Sequence, residues 1–455
     1  MELLGKQVTV IGMAKSGLAA AEFLAARGAK VLVSDAKQRE KLSTEVDFLA
    51  ARNIATETGG NSDKAVLDTD LIVVSPGVPL DIVPLTKARN AGKKIIGEIE
   101  LAYAFLKGKI VGITGSNGKT TTTSLTGKVL QASGFNTQVG GNIGTPLISL
   151  VDSSSEDGVT VVELSSFQLE ATEKLHLKVA ALLNITPNHL DRYPSFEAYA
   201  EAKQRLFLNQ QEDDFAVLNF EDRLVSSMAD LTPAEKFFFS TKKELPVGIF
   251  LRGDEVIYRN KQEIEQVLLN PSKDIRLRGA HNLENVMVAL GIGVALKAST
   301  EAMRKSIGEF QGIEHRLEPV AEINGVDFVN DSKATSVDAA IKALEAFPDN
   351  LVVILGGKDK GSDYSPLRPL IAERVKHLVL IGAASDKIQA ALSGICPIHR
   401  ASTMNDAVEK AFNVAQKGDT VLLAPACSSY DMFDNFEQRG QVFKLEVTNL
   451  KAKHK

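Results

Sequence analysis

Short β-branched runs alternate with alanine-rich stretches along almost the whole chain, and that alternation leaves few folds open. "QVTVIG", "AKVLVSD" and "DLIVVSPG" come first, then "KIVGITG", "GVTVVELS" and "VAALLNIT". Runs this short, separated by helical stretches, predict parallel strands joined by helical crossovers, so the fold class is α/β. After Glu212 the segments become shorter and more polar, as in "FAVLNFED" and "FLRGDEVIYRN", and admit antiparallel strands. A helix rich in small residues (Asn282 to Ala298) follows, then turn residues interrupt "GEFQGIEHRLEPV". Alternation resumes in "LVVILGG", "HLVLIGA" and "DTVLLAP", which predicts another parallel-sheet domain. The 455 residues fit about three domains, and the changes of pattern put boundaries near Gly97 and Gly312, giving 1–97, 98–312 and 313–455.

The first domain opens with "VTVIGMAKSGLAAAEFLAARGAKVLVSD": strand, Gly-rich turn, helix, and a second strand ending in Asp35. That is the setting of a dinucleotide fold, with the acid about 20 residues beyond the first glycine. Ala14 stands where close approach to a pyrophosphate wants glycine. This weakens a nicotinamide cofactor and leaves a related nucleotide diphosphate open; a turn without ligand is the plain alternative. "VVSPGVPLD" ends a later strand in a Pro-Gly turn, which reads first as a rigid turn, although Ser75 and the turn amides lie at a strand end where such sheets bind ligands.

A second Gly-rich loop is more specific. In "VGITGSNGKTTTTSL", an apolar run ending at Ile113 reads as a buried strand, Gly115 and Gly118 free the backbone to curl round an anion, and Lys119 supplies a charge. A helix should follow, with a phosphate favoured at its N-terminus. The strict phosphate-loop pattern wants glycine where Ile113 stands, and Thr120 to Thr123 are poor helix formers, yet threonine hydroxyls suit caps and metals there. The plain alternative is a strand-turn-helix connection with a surface lysine.

Phosphoryl transfer needs carboxylates for Mg²⁺. "VTVVELSSFQLE" offers Glu163 at a strand end, followed by Ser165, Ser166 and Gln168. In "LLNITPNHLDRYPSFEAYAEAKQRLF" another apolar strand leads into His189, Asp191 and Arg192, of which His189 suits a metal through neutral imidazole. Lys203 lies in the helix beyond, where spacing alone reads it as solvent-facing.

Composition narrows the partners. The net charge of −5, with both signs interspersed, provides no basic stripe for nucleic acid. Two cysteines, Cys396 and Cys427, argue against a disulfide framework and suit a reducing cytoplasm. The start of the chain reads as a strand rather than a leader, and no apolar run approaches ~18 residues, so neither secretion nor a membrane span is expected. A monomer is expected.

Taken in order, "GSNGKTT", "GGNIGTP", "ELSSFQL", "NHLDRY", "GAHNLEN", "EHRLE", "NDSKATS", "GGKDKGSDY" and "FDNFEQRG" resemble the motifs of the Mur ligases, ATP-dependent amide-forming enzymes of bacterial cell-wall synthesis. The resemblance runs over essentially the whole chain. "ELSSFQL", "HLDRY" and "APACSSYDMFDNFEQRG" look most like the branch that adds D-glutamate to UDP-N-acetylmuramoyl-L-alanine. That family carries a shortened glycine loop followed by threonines, so Ile113 is in place. It implies a Rossmann-like N-terminal domain that holds UDP-substrate, a central P-loop ATPase-like domain and a C-terminal Rossmann-like ligase domain.

The resemblance also implies roles. Gly115, Ser116, Asn117, Gly118, Lys119, Thr120 and Thr121 would bind ATP phosphates, Asn282 and Asn285 its adenine side, and Arg316 and Asp331 its phosphate and ribose. Two Mg²⁺ sites would use Thr120, Glu163, His189 and a carbamylated Lys203. UDP-substrate would meet Ala14, Lys15, Ser16, Gly17, Asp35, Ser75, Gly77, Asn142, Ser165 and His189. D-glutamate would meet Lys333, Thr335, Lys360, Ser429, Tyr430 and Phe436. The implied chemistry is an acyl phosphate made from ATP and the substrate carboxylate, then attack by the amine of D-glutamate, with Lys119, Glu163, His189 and Lys203 catalytic. With binding surfaces on three domains, closure on ligand binding is expected.

Other readings stay open at this point. An oxidoreductase would use the first Gly loop and Asp35 but leaves Glu163 and the second loop unexplained. A nucleotide-binding regulator would not need "NHLDRY" or "NDSKATS". Another Mur-type ligase or a folylpolyglutamate synthase would differ in acceptor.

Overall fold

The computed structural model describes residues 1–187, 192–277, 280–359 and 361–454. Among these, twenty strands form three sheets. The first holds β1 (Gln7–Ile11), β2 (Lys30–Asp35), β3 (Ala55–Thr58), β4 (Leu71–Val74) and β5 (Lys94–Gly97), all parallel in the order β3-β2-β1-β4-β5. The order reverses at β1, so the loop after β1 opens at the switch point where α/β sheets bind ligands.

The second sheet contains β6 (Lys109–Thr114), β7 (Thr137–Gly141), β8 (Val159–Glu163), β9 (Val179–Leu182), β10 (Phe215–Asn219), β11 (Glu235–Ser240), β12 (Gly248–Arg252), β13 (Glu255–Arg259) and β14 (Glu265–Leu269). Its order is β14-β13-β12-β11-β10-β9-β6-β8-β7. "FAVLNFED" forms β10, which lies parallel between β9 and β11, whereas "FLRGDEVIYRN" makes the antiparallel β12–β13 hairpin. β6 sits between β8 and β9, a second switch point, and its Val111 and Ile113 are fully buried. Burying side chains of that size contributes roughly 1.5–3 kcal/mol each, which anchors the strand that carries the phosphate-type loop.

These two sheets belong to one compact unit, Met1–Ile275 with Ala280–Glu309. One hydrophobic cluster runs through both, from Val8 and Leu24 to Leu164 and Phe207. The joint is the helix Glu98–Tyr103. The Glu100 carboxylate accepts the backbone N–H groups of Glu173, Lys174 and Leu175 at 2.9, 2.8 and 3.2 Å, and Glu98 Oε1 accepts that of Ile148 at 2.7 Å. Glu98 Oε2 is buried without a hydrogen-bond partner. Burial pushes the Glu98 carboxyl up to about 7, against the pull of the Ile148 and Leu147 N–H groups.

The second compact unit is built on Phe310–Lys455. An antiparallel pair, β15 (Glu318–Ile323) and β16 (Val326–Asn330), joins the parallel strands β17 (Leu351–Gly356), β18 (Val375–Ile381), β19 (Ile398–Ala401) and β20 (Thr420–Leu423) in the order β15-β16-β20-β17-β18-β19. One apolar layer packs on each face. The terminal helix Phe436–Lys453 covers one of them through Phe443, Val447 and Leu450.

Candidate active site

The loop after β6 is held from several sides. Gly118 caps the helix Lys119–Ala132 at φ +83°, and a Cβ there would lie 2.3 Å from Asn285 Oδ1. Glycine is needed on both counts. Ser116 Oγ donates to the Thr186 carbonyl at 3.0 Å, accepts the Thr186 N–H at 2.9 Å and meets the Tyr199 hydroxyl at 2.9 Å. Asn117 N–H donates to Asn184 Oδ1 at 2.8 Å. Lys119 folds back, its Nζ donating to the Gly115 and Ser116 carbonyls at 2.9 Å each. Thr120 and Thr121 are buried in the first turn, and Thr122 Oγ1 donates to Asn285 Oδ1 at 3.1 Å. Asn285 Nδ2 in turn donates to Asn282 Oδ1 at 3.1 Å, so Asn285 stands behind the loop and braces it.

Lys203 is 1% exposed, which overturns the solvent-facing reading of its spacing. Ser195 caps the helix Phe196–Gln204, and Tyr199 and Lys203, one turn apart, share the face turned toward the loop. Lys203 Nζ donates to the Gly115 carbonyl at 2.9 Å and to Thr114 Oγ1 at 3.3 Å. Two amines, those of Lys119 and Lys203, thus converge on one carbonyl oxygen. Burial first and the Lys119 charge second drive the Lys203 amine down to about 6, with Glu163 pulling the other way.

Glu163 ends β8 beside this loop, paired in register with Ile113 on β6 and Gly141 on β7. It is 2% exposed; its Oε1 accepts Asn142 Nδ2 at 2.8 Å, and its Oε2 is buried with no hydrogen-bond partner. The orphaned Glu163 oxygen, and the Thr120 hydroxyl at the start of the helix that follows the loop, are hard oxygen ligands of the kind Mg²⁺ takes. No group of three or more His, Cys, Asp or Glu side chains converges on a metal position among the described residues. His189 lies outside the described residues.

Around the first sheet, Ala14, Lys15, Ser16 and Gly17 open the helix Lys15–Ala26. A Cβ on Gly17 would stand 1.9 Å from the Gly12 carbonyl oxygen, so this glycine serves close helix–strand packing. Asp35 Oδ2 accepts the Met13 N–H at 2.8 Å, and buried Ser75 Oγ donates to the Gly12 carbonyl at 3.0 Å. Both therefore shape the loop itself. Lys15 Nζ donates to the Gly144 carbonyl in the "GGNIGTP" loop, and Arg192 reaches the Gly77 carbonyl at 3.5 Å, which draws the two strand-end regions together. Ser165 caps the short helix Ser166–Glu170 in a capping box with Gln168.

In the second unit, Arg316, Asp331, Lys333 and Thr335 follow one another round the β15 and β16 ends, and Ser429 and Tyr430 follow β20. Asp331 is 7% exposed, and burial pushes its carboxyl up to about 6 against the charges of Arg316 and Lys333. Lys333 Nζ lies 5.3 Å from the centre of the Phe436 ring. Ser429 is buried while Tyr430 is exposed. Lys360 lies outside the described residues. Sequence reasoning did not single out Arg439, Tyr199 or Asn184. Arg439 and Tyr199 carried a signal all the same, one standing inside the quoted "FEQRG" and the other one helical turn before Lys203.

The Mur ligase MurD-like N-terminal domain matches residues 6–97, the Mur ligase middle domain 113–293, and the Mur ligase glutamate ligase domain 315–427. The UDP-N-acetylmuramoylalanine--D-glutamate ligase of Acidobacterium capsulatum is 52% identical over 444 residues, covering 98% of this chain and 96% of that one. The protein of the same name from Koribacter versatilis is 48% identical over the full length of both. Among solved structures, UDP-N-acetylmuramate-alanine ligase MurC from Thermotoga maritima aligns with a TM-score of 0.59 at 18% identity, covering 98% of this chain and 100% of that one, which is a likeness of fold.

Proposed function

The chain belongs to the Mur ligase family, and from that premise we propose that it joins D-glutamate to UDP-N-acetylmuramoyl-L-alanine at the cost of ATP, as an acid–amino-acid ligase of peptidoglycan precursor synthesis. The observation that carries the reading is near-full-length identity of about half with relatives so named, in a chain whose Lys119, Glu163 and Lys203 gather at one loop.

A carboxylate resists attack by an amine, so it is first activated by the γ-phosphoryl group of ATP. Lys119 and the loop amides after β6 hold the phosphates, stabilising charge that grows in the transition state. Magnesium, when bound, neutralises charge on the transferred group; Thr120 and Glu163 would hold one ion, and His189 with a carbamylated Lys203 a second. Support for carbamylation is the neutral, buried amine, since only an unprotonated lysine adds carbon dioxide. Asn142 orients the Glu163 carboxylate and lies beside the Lys15-to-Gly144 contact, where the UDP-substrate would run. The dianionic acceptor would be held by Lys333, Thr335, Lys360, Ser429, Tyr430 and Phe436.

The domain limits of 1–97, 98–312 and 313–455 are kept as part of this proposal, as are a monomeric state and a cytoplasmic location. No helix among the described residues is long and apolar enough to cross a membrane. The test is phosphate release from ATP with UDP-N-acetylmuramoyl-L-alanine, comparing D-glutamate with L-glutamate, L-alanine and a diamino acid. Turnover with D-glutamate alone is expected. Turnover with another amino acid alone would move the enzyme within its family, and none with any would sink the ligase reading.

A further inference from the structure

Arg439 is the largest fully buried side chain of the second unit, at 2% exposure, and the mechanism above gives it no task. It sits one turn into the helix Phe436–Lys453 and spreads three donors over two separate loops. Its Nε donates to Ser332 Oγ at 2.9 Å and its Nη2 to the Ser332 carbonyl at 2.8 Å, while Nη1 reaches across to the Cys427 carbonyl at 3.0 Å. Ser332 Oγ passes the contact on to the Phe436 carbonyl at 2.7 Å. These hydrogen-bond acceptors are neutral oxygens. Burial accordingly draws the guanidinium down to about 10, partly offset by Cys427 and Asp431.

The two loops it joins are those that end in the acceptor residues. Ser332 precedes Lys333 and Thr335; Cys427 precedes Ser429 and Tyr430. One backbone rung ties them as well, Ala426 N–H to the Ala334 carbonyl at 2.9 Å, and Ser428 bonds onward to Lys358 through both its carbonyl and its hydroxyl. A planar fork with fixed donor directions sets the spacing of such loops, whereas an ammonium on a flexible stem does not.

We propose that Arg439 is a positioning residue for the acceptor amino acid: it fixes the Lys333–Thr335 loop against the Ser429–Tyr430 loop. The proposal rests on the reading that these two loops hold D-glutamate. A misplacement on the ångström scale is enough to lose a productive pose, so the signature is selective for one substrate.

The test uses the full chain with R439K, which keeps charge and loses the fork, and S332A, which keeps Arg439 and removes one of its acceptors. Steady-state phosphate release gives KM for each of the three substrates. R439K is expected to raise KM for D-glutamate by about tenfold or more, and S332A by about threefold or more, with KM for ATP and for UDP-substrate within about twofold. Equal rises in all three constants, or an acceptor KM within about twofold of wild type in both variants, would overturn the proposal and make Arg439 a packing residue. If R439K does not fold, S332A alone decides by the same two criteria. Should wild type use a different amino acid, the function reading fails separately, and the variant-to-wild-type ratio measured with that amino acid still decides this one.

Discussion

Gly118→Ala tests the phosphate-type loop most directly. At φ +83° an alanine pays a left-handed backbone cost of about 1–2 kcal/mol. Its Cβ would also stand 2.3 Å from Asn285 Oδ1, a separation real contacts do not sustain. Asn285 must then swing away, surrendering the 3.1 Å bond from Thr122 Oγ1, worth about 1 kcal/mol. The sum, about 2–3 kcal/mol, is relieved when the loop relaxes out of its anion-cradling shape, and ATP must restore that shape to bind. Calorimetric titration should therefore show Kd for ATP weakened by about 100-fold, with the thermal transition little changed. The double variant G118A/N285A removes the clash, and because the Thr122 bond is lost only once it should recover about 1 kcal/mol relative to additivity. ATP affinity of G118A within about threefold of wild type, or a double variant that is strictly additive, would refute the reasoning.

Three further outcomes are expected. Lys203 is lowered from 10.5 to about 6, so the unfolded chain binds the extra proton between those values; the burial penalty is absent above 10.5 and complete below about 6, and stability should climb by up to about 1.4 kcal/mol per pH unit in between, a slope that Lys203→Met should remove in urea titrations. Glu98 is raised from 4.5 to about 7, so here the folded state holds the proton; its favourable share is complete below 4.5 and is lost as pH rises through 7, and Glu98→Gln should gain up to about 3 kcal/mol on wild type between pH 5 and pH 8. Replacing Glu100 by Ala strands three backbone N–H groups and should destabilise the first unit by about 3 kcal/mol or more, read by the same titrations; a loss below about 1 kcal/mol would show that water satisfies them.

Long apolar strands were legible because β-branched runs bounded by turns have few other uses; β1, β2, β6, β8, β17 and β18 all fall on segments picked out from pattern. β3 (ATET), β5 (KIIG) and β7 (TQVGG) escaped because edge strands need little apolar surface and tolerate glycine. The small-residue helix begins at Ala280 rather than Asn282 and ends at Ala295, the usual scatter at frayed ends. Lys203 shows the limit for sites. Spacing on its helix says only that it shares a face with Tyr199; that this face turns inward follows from where the loop after β6 lies, which no local pattern encodes. Arg439 stands in a quoted motif, but its task was hidden for the same reason, since its partners are 107 and 12 residues away.

The short helix after Gly97 works as a suture. In the chain it marks where one sheet stops and the next begins, yet Glu98 and Glu100 stitch it to segments some 50 and 75 residues further on, and Gly97 N–H is tied to the Ala171 carbonyl at 3.0 Å. A cut made there for a fragment would pull out every stitch, leaving an exposed acidic helix on one piece and a ragged apolar wall on the other. Fragments for crystallisation or ligand screening should keep residues 1–309 whole, and the scissors belong at the next seam, near Phe310.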